Sequence, residues 1–293
     1  MKELVIISGK GGTGKTTFTA SFAALARDAV LADCDVDAAD LHLLLKPDIR
    51  NREEFRSGFT ASIIQDQCIQ CGKCQEVCRF NAIDDTPAIN PFACEGCQVC
   101  FHVCPVEAIH LEENRCGEWY RSDTRYGSMV HARLGVAEEN SGKLVAIVRQ
   151  QAKQLAEEQG KSLVLVDGPP GIGCPVISSI TGTTMVLVVT EPTLSGIHDL
   201  QRVTELAEHF QIPAGVCVNK ADINPEITEQ ITRYCADHEI EVLGETPYDT
   251  DVVKALVRNQ AVVETSEGAA SQMIRQVWQR IEQKLEVTPV KSD

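Results

Sequence analysis

The chain has 293 residues, 43% of them hydrophobic, with 27 basic against 42 acidic side chains and a formal net charge of −15. This leaves room for about two domains with buried cores, and so acidic a balance argues against nucleic acid held by electrostatics. Residues 1–8 contain no long apolar signal region and no stretch approaches the length of a membrane span, so a cytoplasmic protein is expected.

The first predicted element is an apolar strand over 3–8. It runs into Gly9-Lys10-Gly11-Gly12-Thr13-Gly14-Lys15-Thr16-Thr17, followed by a helix over 16–27. Strand, glycine loop and helix satisfy the phosphate-binding pattern G-x4-G-K-[ST]. The glycines let backbone N–H groups close around phosphate, and the helix N-terminus adds positive potential. Lys15 is expected to reach the β- and γ-phosphates and Thr16 to ligate Mg²⁺. A second strand, 29–33, ends in Asp33 and leads into Cys34-Asp35-Val36-Asp37-Ala38-Ala39-Asp40-Leu41. Carboxylates so close together at a strand end can hold metal-bound and nucleophilic waters. Asp37 and Asp40 serve as well as helix-capping acids and are assigned nothing further.

Next come eight of the thirteen cysteines, in two copies of one spacing: Cys68-x2-Cys71-x2-Cys74-x3-Cys78 and Cys94-x2-Cys97-x2-Cys100-x3-Cys104-Pro105. The second copy lies 26 residues after the first, and Val77, Ala82 and Ile83 repeat as Val103, Ala108 and Ile109. Three thiolates on a tight loop hold three irons of a cubane, and the fourth ligand comes from the other run. Cys68, Cys71, Cys74 and Cys104 would bind one [4Fe–4S] cluster, and Cys94, Cys97, Cys100 and Cys78 the other. Zinc sites show paired C-x2-4-C ligands instead. Two oxidised cubanes would add about −2 charges apiece, which suits a basic redox partner. Exposed clusters imply a low-oxygen compartment. Cys34, Cys116, Cys174, Cys217 and Cys235 remain, and burial statistics place them as small apolar side chains in or near the core.

The stretch Trp119–Gly127, rich in aromatics and arginine, is expected to be a packed return from the cysteine segment, with carrying movement, docking the clusters or pairing with another chain as the alternatives. A helix over 143–159 precedes strand 162–167, which ends in Asp167, placed to hold an Mg²⁺-bound water. Gly168-Pro169-Pro170-Gly171 follows. Strands 184–190, 214–218 and 241–245 then alternate with helices 195–209, 224–237 and 267–286. Such alternation predicts an α/β fold, a mostly parallel sheet with helices on both faces. Ligands bind beyond the strand C-termini of such sheets, where the glycine loop, Asp35, Asp167 and Asn219 all fall. In the last helix Ile274, Val277, Trp278, Ile281 and Leu285 make an apolar stripe without basic enrichment, so core packing is expected and stable membrane anchoring is not.

Residues 61–114 resemble the bacterial two-cluster ferredoxin, with one departure: Arg79 follows Cys78 where that family usually has proline, while Pro105 is kept. The glycine loop, with Lys10 directly after its first glycine, resembles the deviant Walker A of the MinD/ParA superfamily. Asp33–Leu41 resembles its switch I, Gly168–Gly171 its switch II, and Gly135–Lys143 another part of its pattern. The whole chain thus resembles a MinD-superfamily P-loop ATPase, residues 1–60 and 115–293, with an inserted α+β ferredoxin-like domain at 61–114.

That resemblance implies several roles. Lys10 reaches across a nucleotide-sandwich dimer to the phosphates of a partner, either an identical copy or a sister chain. Asp33 lies near Mg²⁺, and Asp35 activates the attacking water. Asn219-Lys220-Ala221-Asp222 also fits a guanine-recognition signature, but the deviant loop favours ATP, with Asn219 on adenine and Pro247 beside the nucleotide. The expected function is an Mg²⁺-dependent ATPase that couples dimer and switch changes to electron transfer through two [4Fe–4S] clusters to a redox partner. Iron–sulfur or metallocofactor assembly and a redox-sensing regulatory switch are the alternatives.

Overall fold

In the computed structural model, which describes residues 1–26, 28–135 and 140–287, the first apolar run is strand β1 (Lys2–Ser8), buried from Glu3 onward. A strand covered on both faces reads as a continuous apolar run because neither face meets water. Its one buried acid, Glu3, is matched: Arg149 donates to both carboxylate oxygens at 2.8 and 2.6 Å, and Lys153 lies 2.9 Å away. The P-loop leads into helix α1 (Lys15–Leu25), and β2 (Ala29–Asp33) and α2 (Leu41–Leu45) follow. Helix α1 stops before the expected residue 27: Ala26 turns to an extended conformation, and Arg27 lies outside the described residues.

Two sixteen-residue strands come next, β3 (Asp48–Ile63) and β4 (Ile109–Thr124), with the short helices α3 (Lys73–Val77) and α4 (Val99–Val103) between them. Neither strand was expected. Most β3 side chains are exposed or half-exposed, and its charged opening, Asp48-Ile49-Arg50-Asn51-Arg52-Glu53-Glu54, has no apolar alternation to read. The expected return over Trp119–Gly127 is in fact the end of β4 and a two-residue turn into β5 (Gly127–Leu134). Thr124 Oγ1 closes that turn, donating to the Gly127 carbonyl at 2.7 Å.

The remaining elements alternate. They are α5 (Ser141–Glu158), β6 (Leu163–Pro170), α6 (Cys174–Ile180), β7 (Met185–Thr190), α7 (Leu194–His209), β8 (Ala214–Asn219), α8 (Pro225–Asp237), β9 (Glu241–Thr246), α9 (Thr250–Val257), α10 (Val262–Thr265) and α11 (Ala269–Val287). Strand β6 does not end at Asp167 but continues to Pro170, which pairs with Ser8 after a shift in register. The helices that periodicity missed have four to eight residues, too few to show a 3.6-residue repeat.

The strands form one nine-stranded sheet in the order β3-β4-β5-β2-β6-β1-β7-β8-β9. From β5 to β9 every adjacent pair is parallel. Helix α11 buries its stripe of Ile274, Val277, Trp278, Ile281 and Leu285, with the Trp278 ring 5.1 Å from that of Phe22 on α1. The chain divides into two compact units, Met1–Glu53 with Glu118–Asp293, and Glu54–Gly117. Among the described residues no helix is long and apolar enough to cross a membrane.

Candidate functional site

The C-terminal ends of β1, β2, β6, β7 and β8 carry the polar residues of the larger unit. The loop after β1 turns through Gly12 and Gly14, at φ 82° and 98°. Gly14 precedes α1, and a Cβ there would collide with Asn219 Nδ2. Only glycine combines that backbone conformation with so close an approach. Gly9 packs as tightly on Asp199 of α7, while Gly11 faces open space. Thr17 accepts at its carbonyl from Ser21 Oγ at 2.7 Å, within the first turns of α1.

Lys15 is buried between two carboxylates, Asp167 Oδ1 at 3.1 Å and Asp35 Oδ2 at 3.3 Å. Thr16 Oγ1 donates to Asp167 Oδ2 and Thr19 Oγ1 to Asp167 Oδ1, both at 2.9 Å. Asp33 is aligned with Asp167 across β2 and β6, and its Oδ1 accepts from the Asp35 N–H at 3.2 Å. Its Oδ2 is buried without a hydrogen-bond partner, as is Thr13 Oγ1. Burial, then Asp167, lifts the Asp33 carboxyl well above its ordinary value. Burial also raises Asp35, against the opposing pull of Lys15. For Lys15 burial acts downward, but Asp167, Asp35 and Asp33 together outweigh it and hold the ammonium above its usual value. Three carboxylates therefore converge on one lysine, and one buried carboxylate oxygen has no donor. The Asp33 and Asp167 carboxylates and the Thr16 hydroxyl are oxygen donors of the kind a divalent cation takes, and they are the residues that would hold it or its waters.

Asn219, at the end of β8, donates from Nδ2 to the Thr13 carbonyl at 2.8 Å and accepts at Oδ1 from Lys220 N–H (3.1 Å) and Thr246 Oγ1 (3.0 Å). It ties the P-loop to β9, whose next residue is Pro247. Asp222 accepts from the Tyr248 N–H at 2.6 Å. Lys10 lies at the other side of the loop, its ammonium 2.8 Å from Glu191 Oε1. Glu191 and Thr19 were not read from the sequence. The available signal for Glu191 was an acid directly after a buried strand, the same signal that marks Asp33 and Asp167.

In the smaller unit the 26-residue repeat reappears in the backbone. Helices α3 and α4 are offset by that interval. So are the positive-φ residues Gln70 and Gly96, Gly72 and Gln98, and Asn81 and Glu107. Ala82 N–H donates to Cys78 Sγ at 3.4 Å and Ala108 N–H to Cys104 Sγ at 3.2 Å. A hollow of about 60 Å³ is lined by Cys68, Cys71, Cys74 and Cys104 together. Burial raises the Cys74 thiol, with Cys68 and Cys71 adding to it. Burial does the same to Cys100, with additions from Cys94, Cys97 and Cys74. Among the described residues no three His, Cys, Asp or Glu side chains are grouped to hold a metal ion. Of the five other cysteines, Cys34, Cys116, Cys217 and Cys235 are buried, but Cys174 is exposed. That corrects the expectation of a core position. Cys174 opens α6 directly after the turn at Gly171–Gly173, where its side chain projects from the first helical turn.

The chain belongs to the CobQ/CobB/MinD/ParA nucleotide-binding family, whose domain matches residues 4–262. It is similar to an uncharacterized protein of Methanocaldococcus jannaschii, 32% identical over 285 residues and 96% of each chain. The septum site-determining protein MinD of Bacillus subtilis is 23% identical over 96% of this chain and 88% of its own. Among solved structures, MinD of Pyrococcus horikoshii, complexed with Mg-ADP, superposes with a TM-score of 0.60 at 17% identity over 99% of both chains. The last likeness shows the fold. The Gly135–Lys143 stretch of the family pattern includes Val136–Glu139, which lie outside the described residues.

Proposed function

We propose that this nucleotide-binding family member is an Mg²⁺-dependent ATPase that couples nucleotide-dependent dimer and switch changes to electron transfer through two [4Fe–4S] clusters. Residues 61–114 act as its ferredoxin-like insert. The observation that carries the iron–sulfur half is the single hollow lined by Cys68, Cys71, Cys74 and Cys104. It gathers three cysteines of the first run with the last of the second and leaves out Cys78, which is the crossed set that the spacing assigns to one cubane. Cys94, Cys97, Cys100 and Cys78 would hold the other. A cubane takes one thiolate per iron, so its ligands stand apart around a volume and do not converge on one ion. Bound clusters supply one-electron storage at a potential set by exposure and by hydrogen bonds to sulfur, and the Ala82 and Ala108 N–H groups are such donors.

At the phosphate end Lys15 neutralises the β- and γ-phosphates, Thr16 and the carboxylates of Asp33 and Asp167 hold Mg²⁺ or its waters, and Asp35 orients the attacking water. Asn219 and Pro247 border an adenine base. Lys10 reaches the phosphates of a second protomer. Complete ligand sets within one chain favour resident clusters over a carrier that hands clusters on.

Anaerobically purified protein should contain about eight irons and eight sulfides per chain. After reduction, its electron paramagnetic resonance signal and midpoint potentials should shift when Mg-ATP is added to the Asp35→Asn variant. Zinc without sulfide would remove the cluster half, and potentials indifferent to nucleotide would remove the coupling.

A further inference from the structure

Within one chain, Lys10 is already held. Beyond its ion pair with Glu191, its ammonium donates to Ser195 Oγ at 3.0 Å and Thr193 Oγ1 at 3.2 Å. Glu191 and Thr193 belong to the segment that joins β7 to α7, and Ser195 to the first turn of α7. That segment has its own bracing: Thr193 caps α7 by accepting from the Gly196 N–H at 2.9 Å, and Thr190 Oγ1 donates to the Gly196 carbonyl at 3.2 Å. The cradle is therefore fixed independently of Lys10. Glu191 also has a second cation. Its Oε2 takes Lys220 Nζ at 3.2 Å, and Lys220 follows Asn219, to which its N–H donates. Lys220 holds its place in the left-handed region, at φ 57°, a conformation uncommon for a residue with a Cβ.

We propose that Glu191 is a holding point for Lys10 within its own protomer, shared with Lys220, and that it sets the threshold at which a second copy of this chain docks across bound nucleotide. This inference rests on the reading of Lys10 as a contact to the partner's phosphates. To make that contact, Lys10 must exchange one carboxylate and two hydroxyls for phosphate oxygens, and only the difference between the two sets drives association. A half-buried carboxylate left without a cation loses part of its stabilisation. Lys220 limits that loss, because Oε2 keeps its partner when Oε1 loses its own. Glu191 and Lys220 are thus positioning residues with opposite effects. Glu191 restrains Lys10, and Lys220 eases its release. Ion pairs that served only to stabilise the loop would give both substitutions the same sign.

The test is sedimentation velocity on the full chain, handled anaerobically with Mg²⁺ and a non-hydrolysable ATP analogue. Glu191→Gln should lower the protein concentration at which half the chains are dimeric by roughly threefold to tenfold, and Lys220→Met should raise it by a similar factor, as for loss of a partly exposed ion pair. Ser195→Ala, which removes one acceptor and leaves the ion pairs intact, should shift it in the direction of Glu191→Gln and keeps the test open where that variant misfolds. Shifts of the same sign, or none beyond twofold, overturn the inference. If the parent binds the analogue without dimerising, or Lys10→Ala dimerises as the parent does, the reading of Lys10 falls first and takes this inference with it. If the parent dimerises through Lys10 but the opposed shifts are missing, only the holding role fails.

Discussion

Asp33→Asn should stabilise the protein while weakening its use of Mg²⁺. Asp33 is fully buried. One of its oxygens accepts from Asp35 N–H and the other has no donor. Burial and Asp167 both push its carboxyl upward, so the folded state resists its ionisation. Asparagine preserves the shape and the acceptor and removes the like charge. Its amide takes the place of the orphaned oxygen without adding a charge beside Asp167 and Asp35. Relieving a buried, poorly compensated charge is worth about 1–3 kcal/mol, on the order of 2–6 °C in Tm for a chain of this size. The sign with pH follows from the raised folded pKa. Between the unfolded value near 3.9 and the higher folded value, the native state binds the extra proton. The stability that this proton confers is complete below the lower value and is lost as pH rises through the higher one. The variant's advantage should therefore be near zero around pH 4 and grow toward neutrality. Differential scanning calorimetry from pH 4 to 8 reads this directly, and repetition with Mg-ADP should show the parent gaining more than the variant. A variant less stable than the parent at pH 7, or a difference that does not change with pH, would refute the charge argument.

Three other substitutions separate the parts of the molecule. Lys15→Ala removes the cation between Asp35 and Asp167 and the phosphate contact expected of it, and should weaken Mg-ATP binding at least about 100-fold by calorimetric titration; unchanged affinity would show that the phosphates lie elsewhere. Gly14→Ala forces a Cβ into the left-handed region against Asn219, and should cost about 1–3 kcal/mol, seen as a lower Tm and a loss of nucleotide affinity together. Cys97→Ser should roughly halve iron and sulfide and leave nucleotide affinity within about twofold, because the cysteines and the P-loop lie in separate compact units. A collapse of nucleotide binding in that variant would contradict that independence.

What could be read from the sequence was whatever physical chemistry forces into a local pattern. A strand buried on both faces must be apolar along its length, so β1, β2, β6, β7 and β8 were found within a few residues. A loop that closes on phosphate must contain glycines at fixed intervals, and Gly12 and Gly14 occupy the left-handed region that requires them. Strands β3 and β4 were missed because most of their side chains meet water and because their pairing is with residues some fifty positions away, as between Thr60 and Asn114. No local pattern records such a partner. The exposed Cys174 was misplaced for a related reason: burial statistics describe a residue type, and the turn that precedes α6 decides this one.

The acids at the strand ends show how far such local reading extends. Asp33, Asp167 and Glu191 each occur at or just beyond the apolar part of a parallel strand, where the sheet delivers side chains to one edge. The first two lie with Lys15, and their charge exceeds what that lysine can balance. Glu191 instead has two lysines, and its carboxyl stays below its ordinary value although burial alone would raise it. One side of the P-loop thus has too few cations and the other has more than one carboxylate needs. Lys10 stands on the oversupplied side, where its departure leaves Glu191 still paired. Asp33 Oδ2, by contrast, is buried without a hydrogen-bond partner. Under the proposed reading, that asymmetry would let the P-loop take up Mg²⁺ on one flank and give up an ammonium to a second chain on the other.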